Sequence, residues 1–197
     1  MNTNMNKFLK FLFFDVIETL FISAAIFVFV YIFVASPHIV YGDSMESTYV
    51  SGEFIMINEF QYRFENPKRG DVIVFQTSTV PFIKRVIGLP GDRIELVNGN
   101  VFLNGELLNE SAYINAGSVT EGMDFLPNNK TITVPKNEYF VMGDNRNVSS
   151  DSREWGFVKK SQIFGRVFVV YWPSNDFHFV RSVKYINEGN KIVAEKI

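Results

Sequence analysis

The feature that most constrains this chain is an uncharged apolar stretch near its start. From Thr19 to Pro37 the sequence reads TLFISAAIFVFVYIFVASP, without a charged side chain. A helix of that length extends about 28 Å, which matches the hydrocarbon core of a bilayer. A cleaved signal peptide would have a shorter apolar part followed by a small-x-small site, and Val34-Ala35-Ser36 is a poor site because a proline follows it. The stretch therefore predicts an uncleaved transmembrane anchor, with a signal peptide and a buried core helix as the alternatives.

Charges beside this stretch predict its orientation. Lys7 and Lys10 precede it, with no acidic residue ahead of them. Because positively charged flanks stay on the cytoplasmic side, we expect the N-terminus in the cytoplasm and the rest of the chain outside. The predicted organisation is a cytoplasmic tail at 1–10, a transmembrane anchor helix at 11–36 and an extracytoplasmic domain at 37–197, in a single-pass protein of the plasma membrane.

The overall composition excludes several kinds of function. The protein has 197 residues, enough for an anchor and one domain, and its net charge of −2 lacks the basic excess of a nucleic-acid-binding protein. It contains no cysteine and only 2 histidines. A disulfide framework, a thiolate metal site and a cysteine nucleophile are therefore excluded, and histidine-based metal binding has few ligands. We expect no cofactor, no metal and no nucleic-acid partner.

After Pro37 the sequence is typical of a mainly β protein. Short runs rich in Val, Ile, Phe and Tyr alternate with turn-forming residues, and no segment keeps a long helical period. The predicted strands are Phe54–Asn58, Asp71–Thr77, Phe82–Ile87, Arg93–Val97, Thr131–Val134, Glu138–Met142 and Ile163–Trp172. The fold class predicted is therefore mainly β, behind an N-terminal transmembrane helix.

Two Asn-Gly pairs mark a meander of short strands. Asn98-Gly99 and Asn104-Gly105 interrupt an apolar stretch between Ile94 and Leu108. Asn and Gly both tolerate the positive φ of a type I′ hairpin turn. We therefore expect antiparallel strands around these turns, continuing into a smaller β insertion at 98–138.

A short polar turn just after the predicted anchor contains a serine that could act as a nucleophile. It reads Tyr41-Gly42-Asp43-Ser44-Met45, which by itself is more typical of a plain polar turn at the membrane surface. A nucleophilic serine also needs a base. His38 and His178 are the candidate histidines, and neither lies in a recognisable triad setting, so a Ser-His-Asp site is disfavoured.

A lysine is the other candidate base, and its chemistry restricts where it can lie. An ordinary lysine, with a pKa of about 10.4, is charged at neutral pH and cannot accept a proton. Burial among apolar groups lowers that pKa, and a value of about 8 requires a shift of roughly 2–3 units. Strand alternation places Lys84 on the same face as Phe82 and Val86, with Arg85 on the opposite face. The alternative is a half-exposed lysine whose stem covers apolar surface.

A dense polar loop follows the predicted strand that ends at Met142. The segment Gly143–Arg153 contains two acids, two arginines and three serines. Asp–Arg pairs fix loops well, so a salt-bridged turn is one interpretation of this segment. The same loop can also form part of a catalytic site.

Three stretches in this order resemble the type I signal (leader) peptidases. They are Gly42-Asp43-Ser44-Met45, the pair Arg69–Phe75 and Lys84–Asp92, and Gly143–Arg153, which matches Gly-Asp-Asn-Arg-x-x-Ser-x-Asp-Ser-Arg throughout. The resemblance implies a β-rich catalytic domain behind one or two anchors. It also implies a serine endopeptidase with a Ser-Lys dyad, which removes signal peptides from exported precursor proteins.

The resemblance also assigns roles to individual residues. Ser44 corresponds to the nucleophile and Lys84 to the general base. Ser149 corresponds to the residue whose hydroxyl orients the lysine. Asp151 and Arg153 correspond to a supporting ion pair, and a second cation stands at Arg146.

Further positions correspond to the oxyanion hole and the substrate pockets. Gly42 stands where some members carry a hydroxyl-bearing oxyanion donor, so the hole would depend on backbone N–H groups, including that of Ser44. Positions that line the pockets for small substrate side chains correspond to Val40, Met45, Phe82 and Ile83. One departure is Ser47, where the family usually has proline. We expect the loss of that proline to loosen the loop after the nucleophile without removing a catalytic group.

The predicted function is thus that of a membrane-bound signal peptidase whose partners are precursor proteins and the lipid bilayer. A non-catalytic, membrane-anchored assembly chaperone or scaffold on the same fold is the first alternative. A self-processing protease similar to the SOS repressors, which also use a Ser-Lys pair, is the second. The predicted anchor disfavours the second alternative, because those repressors act in the cytoplasm.

Overall fold

The computed structural model describes residues 2–33, 35–46, 48–77 and 80–196. Its first element is the helix α1 (Asn2–Phe33). Among the described residues, this is the one helix long and apolar enough to cross a membrane, and its segment Lys10–Val28 is exposed throughout. The strand β1 (Ala35–Ile39) follows almost directly.

The boundary between α1 and β1 differs from the predicted anchor at 11–36. Val34 lies outside the described residues, but Ala35 and Ser36 are already in strand and pair with Asn58 and Ile57. Proline disfavours helical backbone at the residue before it, so Pro37 explains why the helix stops ahead of it.

The rest of the chain is mostly β, as predicted. Two further helices of one turn are α2 (Gln61–Phe64) and α3 (Ser152–Trp155), and 3₁₀ turns occur at Lys160–Gln162 and Ser174–Asp176. The remaining strands are β2 (Phe54–Asn58), β3 (Val72–Gln76), β4 (Pro81–Gly88), β5 (Arg93–Val97), β6 (Asn100–Leu103), β7 (Glu106–Asn109), β8 (Thr131–Thr133), β9 (Glu138–Met142), β10 (Val158–Lys159), β11 (Ile163–Trp172), β12 (His178–Phe179), β13 (Val183–Glu188) and β14 (Lys191–Lys196).

The first sheet has eight strands, in the order β1-β2-β11-β3-β4-β9-β10, with β12 paired to β11. All the pairings along it are antiparallel. Its central strand β3 is buried on both faces. Val72 and Val74 pack in one apolar cluster with Met45, whereas Ile73 and Phe75 pack in another. This sheet therefore has an interior on each side, which allows a side chain of β4 to be buried whichever way it points.

The second sheet has six strands in the order β13-β14-β7-β6-β5-β8. The predicted meander forms its centre, and Asn98, Gly99, Asn104 and Gly105 all have positive φ at the two turns. The sheet extends beyond the predicted insertion at 98–138, because it includes β5 and the C-terminal hairpin. That hairpin, β13 and β14, was not among the predicted strands, and it joins β7 in parallel.

Candidate active site

The side chains of Ser44 and Lys84 meet beside β4, an inner strand of the first sheet. The Lys84 Nζ donates a hydrogen bond to the Ser44 Oγ at 2.7 Å. Ser44 lies in a turn between β1 and β2, whereas Lys84 lies in β4. The tertiary fold therefore brings together two residues that stand 40 positions apart in the sequence.

Lys84 is buried among apolar groups, with only 3% of its surface exposed. Its strand position faces Ile73 of β3, and its amino group lies 5.9 Å from the centre of the Phe82 ring. No salt bridge to Lys84 forms within the described part of the chain. Burial lowers the pKa of Lys84 to about 8, although the more distant charges of Asp151 and Asp144 act in the opposite direction. Near neutral pH a useful fraction of this amine is uncharged and can accept a proton.

Ser149 lies in the same region, packed against the loop that carries it. Its hydroxyl is buried and has no hydrogen-bond partner among the described residues. A Cβ added at Gly143 would lie 2.3 Å from the Ser149 Oγ and 2.4 Å from the Ser44 carbonyl oxygen. Gly143 is therefore required by the close packing between the turn of Ser44 and Ser149. The structure does not include a hydrogen bond from Lys84 to the Ser149 hydroxyl.

The ion pair between Asp151 and Arg153 holds the polar loop from within. The Arg153 Nε and Nη2 donate to the two carboxylate oxygens of Asp151 at 2.8 and 2.9 Å. The same carboxylate accepts from the Gly143 N–H at 3.1 Å. Arg153 also donates to the Arg146 carbonyl oxygen at 2.8 Å. Both charges are buried, and together they connect the start, middle and end of the loop.

Arg146 contacts neither member of the Ser44–Lys84 pair. Its guanidinium is buried and forms a two-pronged salt bridge with Glu110, which follows β7 of the second sheet. Glu110 is not among the site residues predicted from the sequence. No signal local to Glu110 separates it from the exposed acids around it.

A second cluster, absent from the predicted site, joins the buried residues Arg85 and Asp144 to the half-buried Thr48. Arg85 donates to both oxygens of Asp144 at 2.8 and 2.6 Å, and the Thr48 hydroxyl donates to Asp144 at 2.5 Å. Although burial opposes it, the Asp144 carboxylate raises the pKa of Arg85 above its usual value. These three residues tie the strand of Lys84 to the turn of Ser44. All three residues lie inside or next to the three stretches that resemble the signal peptidases. That position is the sequence signal that could have identified them as part of the site.

The turn that carries Ser44 lies between β1 and β2 and begins with a glycine in the left-handed region. Gly42 has a φ of +80°, and its N–H donates to the Ser51 Oγ at 3.1 Å. The Ser44 carbonyl oxygen accepts from the Asn145 N–H at 3.0 Å, and the Asn145 side chain donates to Glu46. The Ser44 N–H makes no hydrogen bond within the part of the chain that the structure describes. Ser47, the departure from the family pattern, lies outside the described residues.

A largely apolar cleft of about 760 Å³ opens beside Ser44 and Lys84. Of the residues expected to line substrate pockets, Val40, Phe82 and Ile83 do line it. Met45 instead lies in the buried core beneath it, in contact with the cluster that contains Val40 and Ile83. Among the described residues, no group of three or more His, Asp or Glu side chains is arranged to hold a metal ion.

Comparisons with known proteins agree with the sequence motifs. The model of the family described as "Signal peptidase, peptidase S26" matches residues 13–172. The chain is 40% identical over 149 residues to a probable signal peptidase I-2 of Synechocystis sp., covering 72% of this chain and 65% of that protein. It is 32% identical over 180 residues to signal peptidase IB of Staphylococcus aureus strain MRSA252, covering 84% of this chain and 94% of that protein. A solved signal peptidase I from Enterococcus faecalis V583 is 31% identical with a TM-score of 0.43, covering 52% of this chain and 97% of that one.

Proposed function

The chain belongs to the signal peptidase family, peptidase S26, and from that membership we propose that it is a membrane-bound serine endopeptidase that removes signal peptides from exported precursor proteins. The observation that carries the proposal is the 2.7 Å hydrogen bond, beside an apolar cleft, between a serine hydroxyl and a buried lysine that has no salt bridge among the described residues. Ser44 is the nucleophile in this proposal, and Lys84 is the general base.

The reaction is an acyl transfer in two stages. In the first stage, neutral Lys84 removes the proton from the Ser44 hydroxyl while the Ser44 Oγ attacks the scissile carbonyl carbon. The resulting ammonium donates a proton to the nitrogen of the leaving amine, and an ester of Ser44 remains. In the second stage, Lys84 takes a proton from water, whose oxygen attacks the ester carbonyl carbon. The bond between that carbon and the Ser44 Oγ then breaks, and the Lys84 ammonium returns its proton to the Ser44 Oγ, which restores both residues.

The backbone of the nucleophile turn is suited to the negative charge that develops on the substrate oxygen. A tetrahedral intermediate is stabilised by N–H donors fixed in advance at the oxyanion. We assign this role to the Ser44 N–H, which is not used within the turn. The Gly42 N–H is bonded to Ser51, so Gly42 contributes chiefly through its left-handed backbone, which lets the chain turn towards the cleft.

The polar loop serves as the support of the dyad. The Ser149 hydroxyl is buried and has no hydrogen-bond partner among the described residues. The orienting role we propose for it is a turn towards Lys84 when substrate binds. Asp151 and Arg153 hold the loop in place. Arg146 supports the same loop from its other side.

The cleft is suited to an extended, apolar peptide. Val40, Phe82 and Ile83 provide apolar walls close to Ser44, and Met45 fills the floor behind them. A substrate could add to an exposed strand edge through its backbone, while shallow pockets select small side chains. Such a substrate matches the end of a signal peptide.

The helix α1 would place this cleft at the membrane surface. We propose that residues 1–10 are cytoplasmic, that the apolar segment spans the bilayer, and that 37–197 form an extracytoplasmic catalytic domain of the plasma membrane. The exposed rings of Trp172, Phe177 and Phe179 give the domain further apolar surface to rest against lipid.

A cleavage assay with the full-length chain in liposomes tests the proposal. Wild type is expected to release the mature part of a purified exported precursor, whereas Ser44→Ala and Lys84→Ala fold normally and do not. The exposed residues Ser161 and Lys159 provide matched controls, because their alanine variants should keep wild-type activity. Cleavage that survives in Lys84→Ala would contradict the dyad.

The same assay separates the alternatives. Full biological function in Ser44→Ala cells would favour the non-catalytic scaffold. Cleavage of the chain itself without cleavage of a separate precursor would favour a self-processing protease.

A further inference from the structure

The buried salt bridge between Glu110 and Arg146 joins the second sheet to the loop that supports the dyad. Glu110 directly follows β7 and is only 5% exposed, although a single carboxylate is costly to bury without partners. Its two oxygens accept from Arg146 Nη1 and Nη2 at 2.6 and 2.5 Å. The Arg146 Nη1 also donates to the Thr120 hydroxyl at 2.7 Å. Both oxygens of the Glu110 carboxylate are therefore hydrogen-bonded to Arg146.

Glu110 is itself held in position by the second sheet. The Tyr113 hydroxyl donates to it at 2.7 Å, and the Tyr185 hydroxyl of the C-terminal hairpin donates in turn to Tyr113. The Tyr113 ring also lies 4.3 Å beneath the guanidinium of Arg85, next to Lys84 in β4. The carboxylate of Glu110 thus has a fixed place relative to both the second sheet and β4.

Arg146 connects Glu110 to the backbone of Gly143, which packs against the turn of Ser44. Its Nε donates to the Gly143 carbonyl oxygen at 3.0 Å. Gly143 is the residue against which Ser149 and the Ser44 carbonyl pack so closely that no side chain fits. The next residue but one, Asn145, donates its N–H to that same Ser44 carbonyl. A displacement of Arg146 would therefore move the surface on which the nucleophile turn rests.

We infer that Glu110 is a positioning residue for the peptidase reaction, acting through Arg146 to hold the loop at 143–149 against the turn of Ser44. The inference rests on the proposed function. It gives the second sheet, which lines no part of the cleft at Ser44, a role in the rate of cleavage rather than in substrate binding.

This role has a kinetic signature. A misplacement of catalytic groups by about 1 Å can cost on the order of 100-fold in rate. We therefore expect Glu110→Gln to lower kcat by about 10- to 100-fold. Its KM should stay within about twofold of the wild-type value, because Glu110 does not line the cleft. Glu110→Asp, which keeps the charge, should recover part of the lost kcat.

A double variant separates positioning from mere stability. Glu110→Leu combined with Arg146→Met removes both buried charges and leaves neither unpaired, so we expect a Tm near that of wild type. Its kcat should remain at least about tenfold low, because the Gly143 carbonyl has lost the Arg146 hydrogen bond. Asp92→Asn is the control, because Asp92 pairs with Arg69 and does not contact the 143–153 loop. It should lower Tm without lowering kcat at temperatures where the protein is folded.

The outcomes are distinct when full-length protein is assayed with a precursor. If the double variant recovers kcat together with Tm, or if Glu110→Gln lowers Tm alone, the positioning role is wrong while the proposed function stands. If wild type does not cleave the precursor, or Ser44→Ala cleaves it equally well, the proposed function fails and this inference fails with it.

Discussion

Two neighbouring basic residues on opposite faces of β4 have pKa values shifted in opposite directions. Lys84 and Arg85 are adjacent and equally buried, each with 3% of its surface exposed. Arg85 makes hydrogen bonds to Asp144 and to the Gly70 carbonyl oxygen, and it stacks over Tyr113. Lys84 makes its hydrogen bond to the Ser44 hydroxyl, and it otherwise faces apolar side chains.

This difference shows that burial alone does not determine whether a basic side chain is charged. Burial penalises the charged form of both side chains. On the Arg85 face, the Asp144 carboxylate outweighs the penalty, so the pKa rises and the pair serves as a permanent link. On the Lys84 face, no acid among the described residues forms a salt bridge with the amine, so burial lowers the pKa of Lys84 to about 8. One strand thereby supplies both a structural cation and the base that we propose.

The largest effect is expected for Lys84→Arg, a variant with a permanent cation on both faces of β4. Arginine stays protonated at all accessible pH values and cannot act as a base. We expect kcat/KM for precursor cleavage to fall by roughly 100- to 10,000-fold, the usual contribution of general acid–base catalysis. Lys159→Arg, at an exposed position of β10, is the matched control and should retain full activity. Retention of more than a tenth of the activity in Lys84→Arg would contradict the role of a neutral amine.

The converse change, Arg85→Met, removes the cation that pairs with Asp144 on the other face of β4. It leaves the Asp144 carboxylate buried without its cation, so we expect a loss of about 3–5 kcal/mol in the free energy of unfolding. Urea unfolding of the protein in detergent measures the loss. Arg85→Met combined with Asp144→Leu should regain most of it. A single variant that loses less than about 1 kcal/mol would show that the link between these residues is not structural.

A third test uses Lys84→Met and the pH dependence of stability. The folded pKa of about 8 lies below the ordinary value of 10.5, so the unfolded chain binds more protons between these two values. Wild-type stability should therefore rise as pH increases from 8 to 10.5. Below pH 8 the variant should be more stable than wild type by up to about 3 kcal/mol. If the free energy of unfolding changes with pH equally in both proteins, the pKa of Lys84 is not lowered and its amine is exposed to solvent.

The smallest expected effect is the pH dependence of the rate. With a pKa of about 8 for Lys84, the uncharged fraction rises from about a tenth at pH 7 to about nine tenths at pH 9. Initial rates of cleavage at low substrate concentration should therefore increase roughly tenfold over that interval. A rate that is flat from pH 7 to 9 would mean that another group is the base.

Much of this architecture could be predicted from local patterns. Strand alternation indicated that Lys84 and Arg85 point to opposite faces, and the Asn-Gly pairs indicated the two turns of the second sheet. Both signals depend on residues a few positions apart. The C-terminal hairpin carried a weaker signal, because charged and amide side chains fill much of β13 and β14. The helix end was predicted too late, since the apolar composition continues after Phe33 while the backbone already becomes extended.

The sequence by itself determined the apolar anchor segment, the β-rich character of the rest and the candidate roles of Ser44 and Lys84. Only the tertiary structure decided which charges are paired. Asp144 reaches Arg85 across 59 positions, and Glu110 reaches Arg146 across 36. Periodicity describes which face a side chain occupies, because it follows from the local backbone. The partner that it meets there is set by how distant strands stack, and that partner determines whether a buried cation remains charged or becomes a base.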